Sequence, residues 1–370
     1  MGDRPQRILP YAVPGRSRRL VPFVPYWVAN LALATVIAGA WPVSWLMDNQ
    51  LDPYFMDLII RIGVAIILAV SLNLINGITG QFSLGHAGFM GLGAYVCGVL
   101  VKHWAVVHGT GLAPPPALLF IGVTVLAGLV AALAGLAIGI PTLRLRGDYL
   151  AIATLGFGEI IAIVINQVQA IGGRTVGELK HVGGYEVGGP GGLHDIPIAT
   201  NFFWTFLWCL VCIVTVWRLA HSARGKAFYA VREDEIAAAA MGVNTTFQKV
   251  AAFAIGAFFA GVAGALSATF TGNLAPGSFN FMKSIEIVVM VVLGGSGSIS
   301  GAILAAIVLT WLPEQLRSLK DWRLVIYALV LIVMMIVRPE GLLGSRELWF
   351  TRRRSIAPPP TADPSSEGLN

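Results

Sequence analysis

The sequence predicts an all-α polytopic membrane protein, and three observations lead there. Of 370 residues, 56% are hydrophobic and only 12% charged, against roughly 25% charged in soluble domains. The mean hydropathy is +0.75. Apolar runs near 20 residues, long enough to cross ~30 Å of hydrocarbon as helices, recur along the whole chain. These runs are continuous rather than alternating, which excludes a transmembrane β-barrel. The net charge of +6 fits Lys and Arg left on cytoplasmic loops, and no aromatic–basic interleaving points to nucleic acid.

Taken in order, residues 1–20 hold Arg4, Arg7, Arg16, Arg18 and Arg19, a basic tail that puts the N-terminus in the cytoplasm. No small-residue cleavage site follows, so the apolar run at about 21–46 is expected to remain as span one. An acidic loop leads to span two, about 54–76, where Asp57 and Arg61 stand at i,i+4 and are expected to pair. Span three, about 80–101, opens GQFSLGHAGFMGLGAY; so much glycine predicts close helix contact or a broken helix. Pro114, Pro115 and Pro116 precede span four (117–140), and Arg144 and Arg146 return the chain to the cytoplasm. Span five (148–166) carries Glu159. The polar, glycine-rich segment 167–200 is external by alternation, and span six covers 201–219.

Residues 221–249 form a polar island. His221, Arg224, Lys226, Arg232 and Lys249 accompany Glu233, Asp234 and Glu235. Charge at a bilayer centre costs at least ~2.5 kcal/mol per residue, so this segment must leave the membrane. Ile236 to Met241 before Gly242 predicts a short helix with a glycine stop, a polar element suited to docking a partner. Span seven is about 250–271. The run 284–312 is too long for one span, and GGSGSISG interrupts it at 294–301. Two half-helices or a re-entrant pair there keep Arg338, Arg352, Arg353 and Arg354 cytoplasmic. A last span at 323–337 leads into a cytoplasmic tail, 339–370. The total is about eight full transmembrane helices plus a glycine-broken half-helix pair, about ten if counted separately, in one domain of 21–338.

Candidate chemistry sits on the polar residues of the spans. Gln81 and Ser83 at one glycine-rich break echo Ser296 and Ser298 at the other; such breaks either line a translocation path or let helices approach closely. His86 is either a satisfied buried histidine or a lining residue. Glu159, roughly mid-membrane, either lines a pathway or hydrogen-bonds across helices. Glu286, one turn after Lys283, fits an interfacial salt bridge. Cys97, Cys209 and Cys212 all fall in spans and fit packing rather than redox or metal chemistry. No catalytic constellation is present. Gly294–Gly297 has the form of an intramembrane serine-protease GxSG, but no histidine base follows His221. The chain has neither an HExxH zinc motif nor a phosphate loop, so no cofactor is expected on it and any ATP hydrolysis must come from another chain.

Five ordered blocks carry a family resemblance: residues 73–95 (NLINGITGQFSLGHAGFMGLGAY), 144–160 (RLRGDYLAIATLGFGEI), the GGPGGL loop within 182–193, 223–246, and 284–303 (SIEIVVMVVLGGSGSISGAI). Together they resemble the LivM-type permease subunit of bacterial branched-chain amino acid ABC importers, over roughly residues 55–345. That resemblance implies the ABC importer permease fold in the inner membrane and a heterodimer with a second, related permease. It also implies two cytoplasmic ABC ATPases and a periplasmic substrate-binding protein, which the 167–200 loop would receive. The 221–249 segment then resembles the coupling element that seats in the ATPase, with Arg224, Gly225, Arg232, Glu235, Ala237, Ala238 and Gly242 as its candidate residues. Counting back from Gly242, the position of that element's usual glutamate holds Ile236. A urea or short-amide importer permease looks similar in the same blocks, and an ion-coupled secondary carrier working alone is the reading from another class.

Overall fold

The computed structural model describes residues 52–338 and 341–344, apart from 143–146, 172–173, 176–180, 183–184 and 320–321, together with isolated positions 35, 39, 42 and 44. The expected span at 21–46, both tails, and Arg144 and Arg146 therefore lie outside the described residues. The helices in order are α1 (Pro53–Asn73), continued by a π-helical turn (Leu74–Ile78), α2 (His86–His108), α3 (Ala117–Thr142), α4 (Asp148–Gln167) and α5 (Phe202–His221). After them come α6 (Ala223–Glu233), α7 (Glu235–Ala240), α8 (Thr245–Thr271), α9 (Phe281–Gly294), α10 (Ile299–Gln315) and α11 (Trp322–Val337). Among the described residues, seven helical stretches are long and apolar enough to cross a membrane. The chain is an all-α, multi-pass membrane protein.

Helices α1 and α8 form the centre. α8 packs on α1, α2 and α3, and α1 packs on α5, α9 and α10. Glycines of both α2 and α8 explain how closely the two approach: a Cβ on Gly93 would overlap the Gly261 backbone, and one on Gly264 would overlap the Met90 carbonyl. In hydrocarbon, dispersion rather than hydrophobic burial holds helices together, so close backbone approach is the stabilising contact. Span three therefore shows both expected features. Its helix begins only at His86, and residues 80–85 are a non-helical break before it.

The interrupted run resolves into a hairpin. α9 and α10 have 14 and 17 residues and meet at Gly295–Ser298. At that turn the Asn73 side chain donates to the Ser298 carbonyl at 3.0 Å, while at the far end of α10 the Tyr54 hydroxyl donates to Glu314 at 2.9 Å. α10 thus runs beside the whole of α1, and the pair traverses the bundle twice rather than dipping part-way. Asp57–Arg61 and Lys283–Glu286 form the two expected local ion pairs, at 2.7 and 2.9 Å.

The end of the bundle opposite this turn carries the 167–200 segment. Two short antiparallel pairings, β1 (Ala170–Ile171) with β4 (Tyr185–Glu186) and β2 (Arg174–Thr175) with β3 (His181–Val182), give it a ribbon. Lys102 at the end of α2 pairs with Glu186 at 2.9 Å, and Leu193 bridges to Leu274. The polar island lies at the other end and is almost wholly helical, a correction to its reading as a loop with one short helix. Three side chains start its helices: Ser222 accepts from Gly225 N at 3.2 Å, Asp234 from Ile236 N and Ala237 N at 2.8 and 3.0 Å, and Asn244 from Phe247 N at 2.9 Å. Each satisfies orphan N–H groups of a first turn.

Candidate functional site

The α6–α7 hairpin is built as a rigid bracket. Gly242, at φ +84°, ends α7 as the sequence predicts; its left-handed backbone lets Val243 N return to the Ala238 carbonyl at 3.0 Å. Ala238, Phe228, Val231 and Gly225 are buried against the bundle. Glu235 pairs with the largely buried Lys249 at 2.7 Å, clamping α7 onto the first turn of α8. The outward side is apolar: Ile236, Met241 and Phe247 are 69%, 85% and 57% exposed. Of the residues picked out for the hairpin, Arg224, Ala237 and Gly242 are exposed, whereas Gly225, Glu235 and Ala238 face the bundle.

Arg232 is exposed overall, but its guanidinium reaches back to the bundle. Its Nη1 donates to the Gly77 carbonyl at 2.7 Å, in the π-helical turn that ends α1. That turn frees carbonyls, because i→i+5 pairing shifts the hydrogen-bond ladder. The same side chain lies along Gly80 and Gly297: a Cβ on Gly80 would come to 2.9 Å from Arg232 Cγ, and one on Gly297 to 2.6 Å from Nη1. Asn73 completes the junction, accepting from Gly297 N at 2.9 Å while donating to the Ser298 carbonyl. Residues just past α11 close it, with Leu342 N donating to Leu293 O at 2.7 Å. One hairpin residue therefore touches both helix breaks.

Non-helical backbone inside a membrane needs partners, and the 80–85 break and the first turn of α2 borrow them from three helices. Ser83 N donates to Asn76 Oδ1 at 3.2 Å, Leu84 N to Thr154 Oγ1 at 3.1 Å, and Ala87 N to Ser284 Oγ at 3.2 Å. The side chains fare differently. Both amide atoms of Gln81 and the Ser83 hydroxyl are buried without a partner among the described residues. His86 Nε2 lies 2.8 Å from Ser71 Oγ, whose own proton goes to the Leu68 carbonyl at 3.0 Å. Ser71 must then accept from Nε2–H, which leaves Nδ1 of a neutral ring as a bare acceptor, and it too has no partner.

The expected path residues thus divide. Gln81, Ser83 and His86 gather in one buried segment. Ser298 sits in the adjoining turn, its hydroxyl capping α10 through Gly301 N at 3.1 Å, and Ser296 is exposed at the tip of that turn. Glu159 stands apart, partly buried on α4, with no ion pair or hydrogen bond among the described residues. Sequence reasoning missed Asn73, Asn76, Thr154, Ser284 and Lys249. Asn73 and Asn76 carried a signal, since an amide inside an apolar span needs a partner.

With this geometry in view, comparison with known proteins is decisive. The family of the branched-chain amino acid transport system permease component matches residues 54–338. The chain belongs to this family. The permease is 35% identical over 342 residues to the high-affinity branched-chain amino acid transport system permease protein LivM of Salmonella typhimurium, covering 83% of this chain and 73% of the relative. It is 34% identical over 347 residues to LivM of Escherichia coli K12, covering 85% and 74%. A second type of relative, LivH of Escherichia coli K12, is 32% identical over 148 residues, covering 39% of this chain and 47% of LivH. No solved structure matches the chain. This is a non-enzymatic transport subunit, a permease of the type that works with a second permease.

Proposed function

We propose that this permease forms, with a second related permease, the translocation path of an ATP-driven importer of branched-chain amino acids in a bacterial cytoplasmic membrane. The hairpin end faces the cytoplasm, both termini lie there, and the 167–200 ribbon faces the periplasm, where a substrate-binding protein docks. The permease domain is 21–338, flanked by cytoplasmic tails at 1–20 and 339–370. Two separate ATPases hydrolyse ATP, and this chain binds no cofactor of its own. The LivM and LivH relatives support both the cargo and the pairing.

One observation carries the ATPase part. The α6–α7 hairpin shows an apolar knob, Ile236, Met241 and Phe247, beyond the membrane-spanning helices, while Arg232 at its root holds both helix breaks. An exposed apolar patch of that kind fits a protein groove. Movement of the knob would reach the breaks through Arg232 as a rigid shear.

The test is uptake into proteoliposomes. The four-component membrane complex with its binding protein should accumulate a branched-chain amino acid only with internal or external ATP on the hairpin side. Ile236→Asp with Met241→Asp should release the ATPases from detergent-solubilised complex. Uptake by this chain alone, without ATP, would overturn the proposal in favour of a secondary carrier.

A further inference from the structure

The outer faces of the helices are not alike. α3 exposes Leu118, Leu129, Leu133 and Ile140 and has no charged residue in its whole length, a surface lipid covers without penalty. α4 is as open, exposing Ile152, Ile160 and Ile163 at 65%, 52% and 57%. Yet Ile152, Gly156, Glu159 and Ile163 stand at i, i+4, i+7 and i+11, which is one face of a helix. Glu159 is eleven residues from Asp148 and eight from Gln167, or roughly 16 and 12 Å from the ends at ~1.5 Å per residue. It is thus near the middle of the helix. Among the membrane-spanning carboxylates whose side chains are described, it is the only one with neither an ion-pair nor a hydrogen-bond partner.

A carboxylate at that depth cannot face acyl chains without a large penalty; it faces water or a partner. Gly156, one turn away, has nothing within 4 Å of where a Cβ would sit, so the face is open as well as polar. The other side of α4 is closed, because Gly158 packs on Gly85 at the break before α2. Helix α4 therefore separates the buried 80–86 segment from an open face with one negative group.

We propose that this face of α4 is the wall of the translocation path at the seam with the second permease, and that Glu159 accepts the ammonium group of the passing amino acid. The inference rests on the importer reading above and names the polar group that reading leaves unassigned. An ammonium brings three N–H donors and a full positive charge, which matches an otherwise unpaired carboxylate. An uncharged amide cargo would draw little from that charge.

Two measurements on the assembled complex test it, in a background where Cys97, Cys209 and Cys212 are replaced by alanine. First, single cysteines at 156, 159 and 163 should react with a membrane-impermeant thiol reagent, and excess leucine should slow the reaction; cysteines at 129 and 133 on α3 should stay silent. Silence at all three α4 positions would overturn the proposal. Second, Glu159→Gln should lower leucine carried per ATP hydrolysed by tenfold or more, with Glu159→Asp keeping a larger share than Gln. Unchanged stoichiometry in Glu159→Gln would refute the ammonium role. A wild-type complex that carries no amino acid would sink the importer reading instead, and the reactivity of the α4 cysteines in the absence of leucine does not depend on that outcome.

Discussion

The two helix breaks lie side by side at the hairpin end, yet they are built on opposite plans. The turn at Gly295–Ser298 is four residues long, and its backbone is tied down by Asn73 and by the chain after α11. The break at 80–85 is longer, and with the first turn of α2 it draws on Asn76, Thr154 and Ser284 from three different helices, while Gln81, Ser83 and His86 keep polar atoms unpaired among the described residues. A short turn pinned by the Asn73 amide moves as one piece with its helices. A segment whose hydrogen bonds come from three neighbours changes partners when those neighbours shift. The first break is thus a joint and the second a responsive element, and Arg232 touches both.

The largest effect should come from forcing the two apart. A side chain at Gly77 would overlap Asn73 Oδ1 and Gly297 N and come to 2.9 Å from Gly297 Cα. Gly77→Val should therefore lower stability by about 3 kcal/mol, the upper part of the overpacking range, and largely abolish folded complex in detergent. Gly122→Ala on α3, where a Cβ meets nothing within 4 Å, is the control and should melt with the wild type. Next comes Asn73→Leu, which keeps volume but leaves Gly297 N without its acceptor and takes one of two donors from the Ser298 carbonyl, which still accepts from Ala302 N at 3.1 Å. At roughly 1–3 kcal/mol per orphaned group, offset by the apolar replacement, a loss of about 2 kcal/mol is expected in thermal unfolding. A wild-type melting curve for Asn73→Leu would show that the joint is held some other way.

Much of this architecture was legible beforehand. Long apolar runs fix the spans because the bilayer sets both their length and their composition. The 294–301 interruption was legible for a related reason: one crossing there would have put the C-terminal arginines on the wrong side. What escaped was α6, whose buried face is only Gly225, Phe228 and Val231, too short a stripe for hydropathy to mark; the caps Ser222, Asp234 and Asn244 were the signal to use. Arg232 escaped for a deeper reason. Its partner Gly77 is 155 positions away, and nothing local tells an arginine that obeys the positive-inside rule from one that roots a hairpin. Glu235 is the same case: among neighbouring acids, only its pairing with Lys249 shows that it is a clamp.

Arg232→Ala tests whether the joint and the responsive element answer to one residue. A hydrogen bond from a guanidinium is worth roughly 1.5–3 kcal/mol, and this one is only partly buried, so the lower figure applies. About 1.4 kcal/mol is a factor of ten, and amino acid carried per ATP should fall by about that factor while the folded complex remains. Arg232→Lys, which keeps charge and length but has no planar fork to lie along Gly80 and Gly297, should recover only part of the coupling. If coupling survives in Arg232→Ala, the hairpin must act through the Glu235–Lys249 clamp instead.

The smallest effect separates the breaks most cleanly. Thr154 Oγ1 donates to Ala151 O at 3.0 Å and accepts from Leu84 N at 3.1 Å, so a single hydroxyl on α4 holds the responsive break from outside. Thr154→Val keeps the shape and orphans one N–H, a loss of about 1 kcal/mol. Thr154→Ser keeps the hydroxyl and should behave as wild type. The loss ought to be local: faster amide hydrogen exchange at 83–86, with exchange at 295–301 unchanged, because the joint takes no hydrogen bond from α4. Parallel acceleration at both sites would mean that the two breaks open as one unit, and the division between joint and responsive element would then be lost.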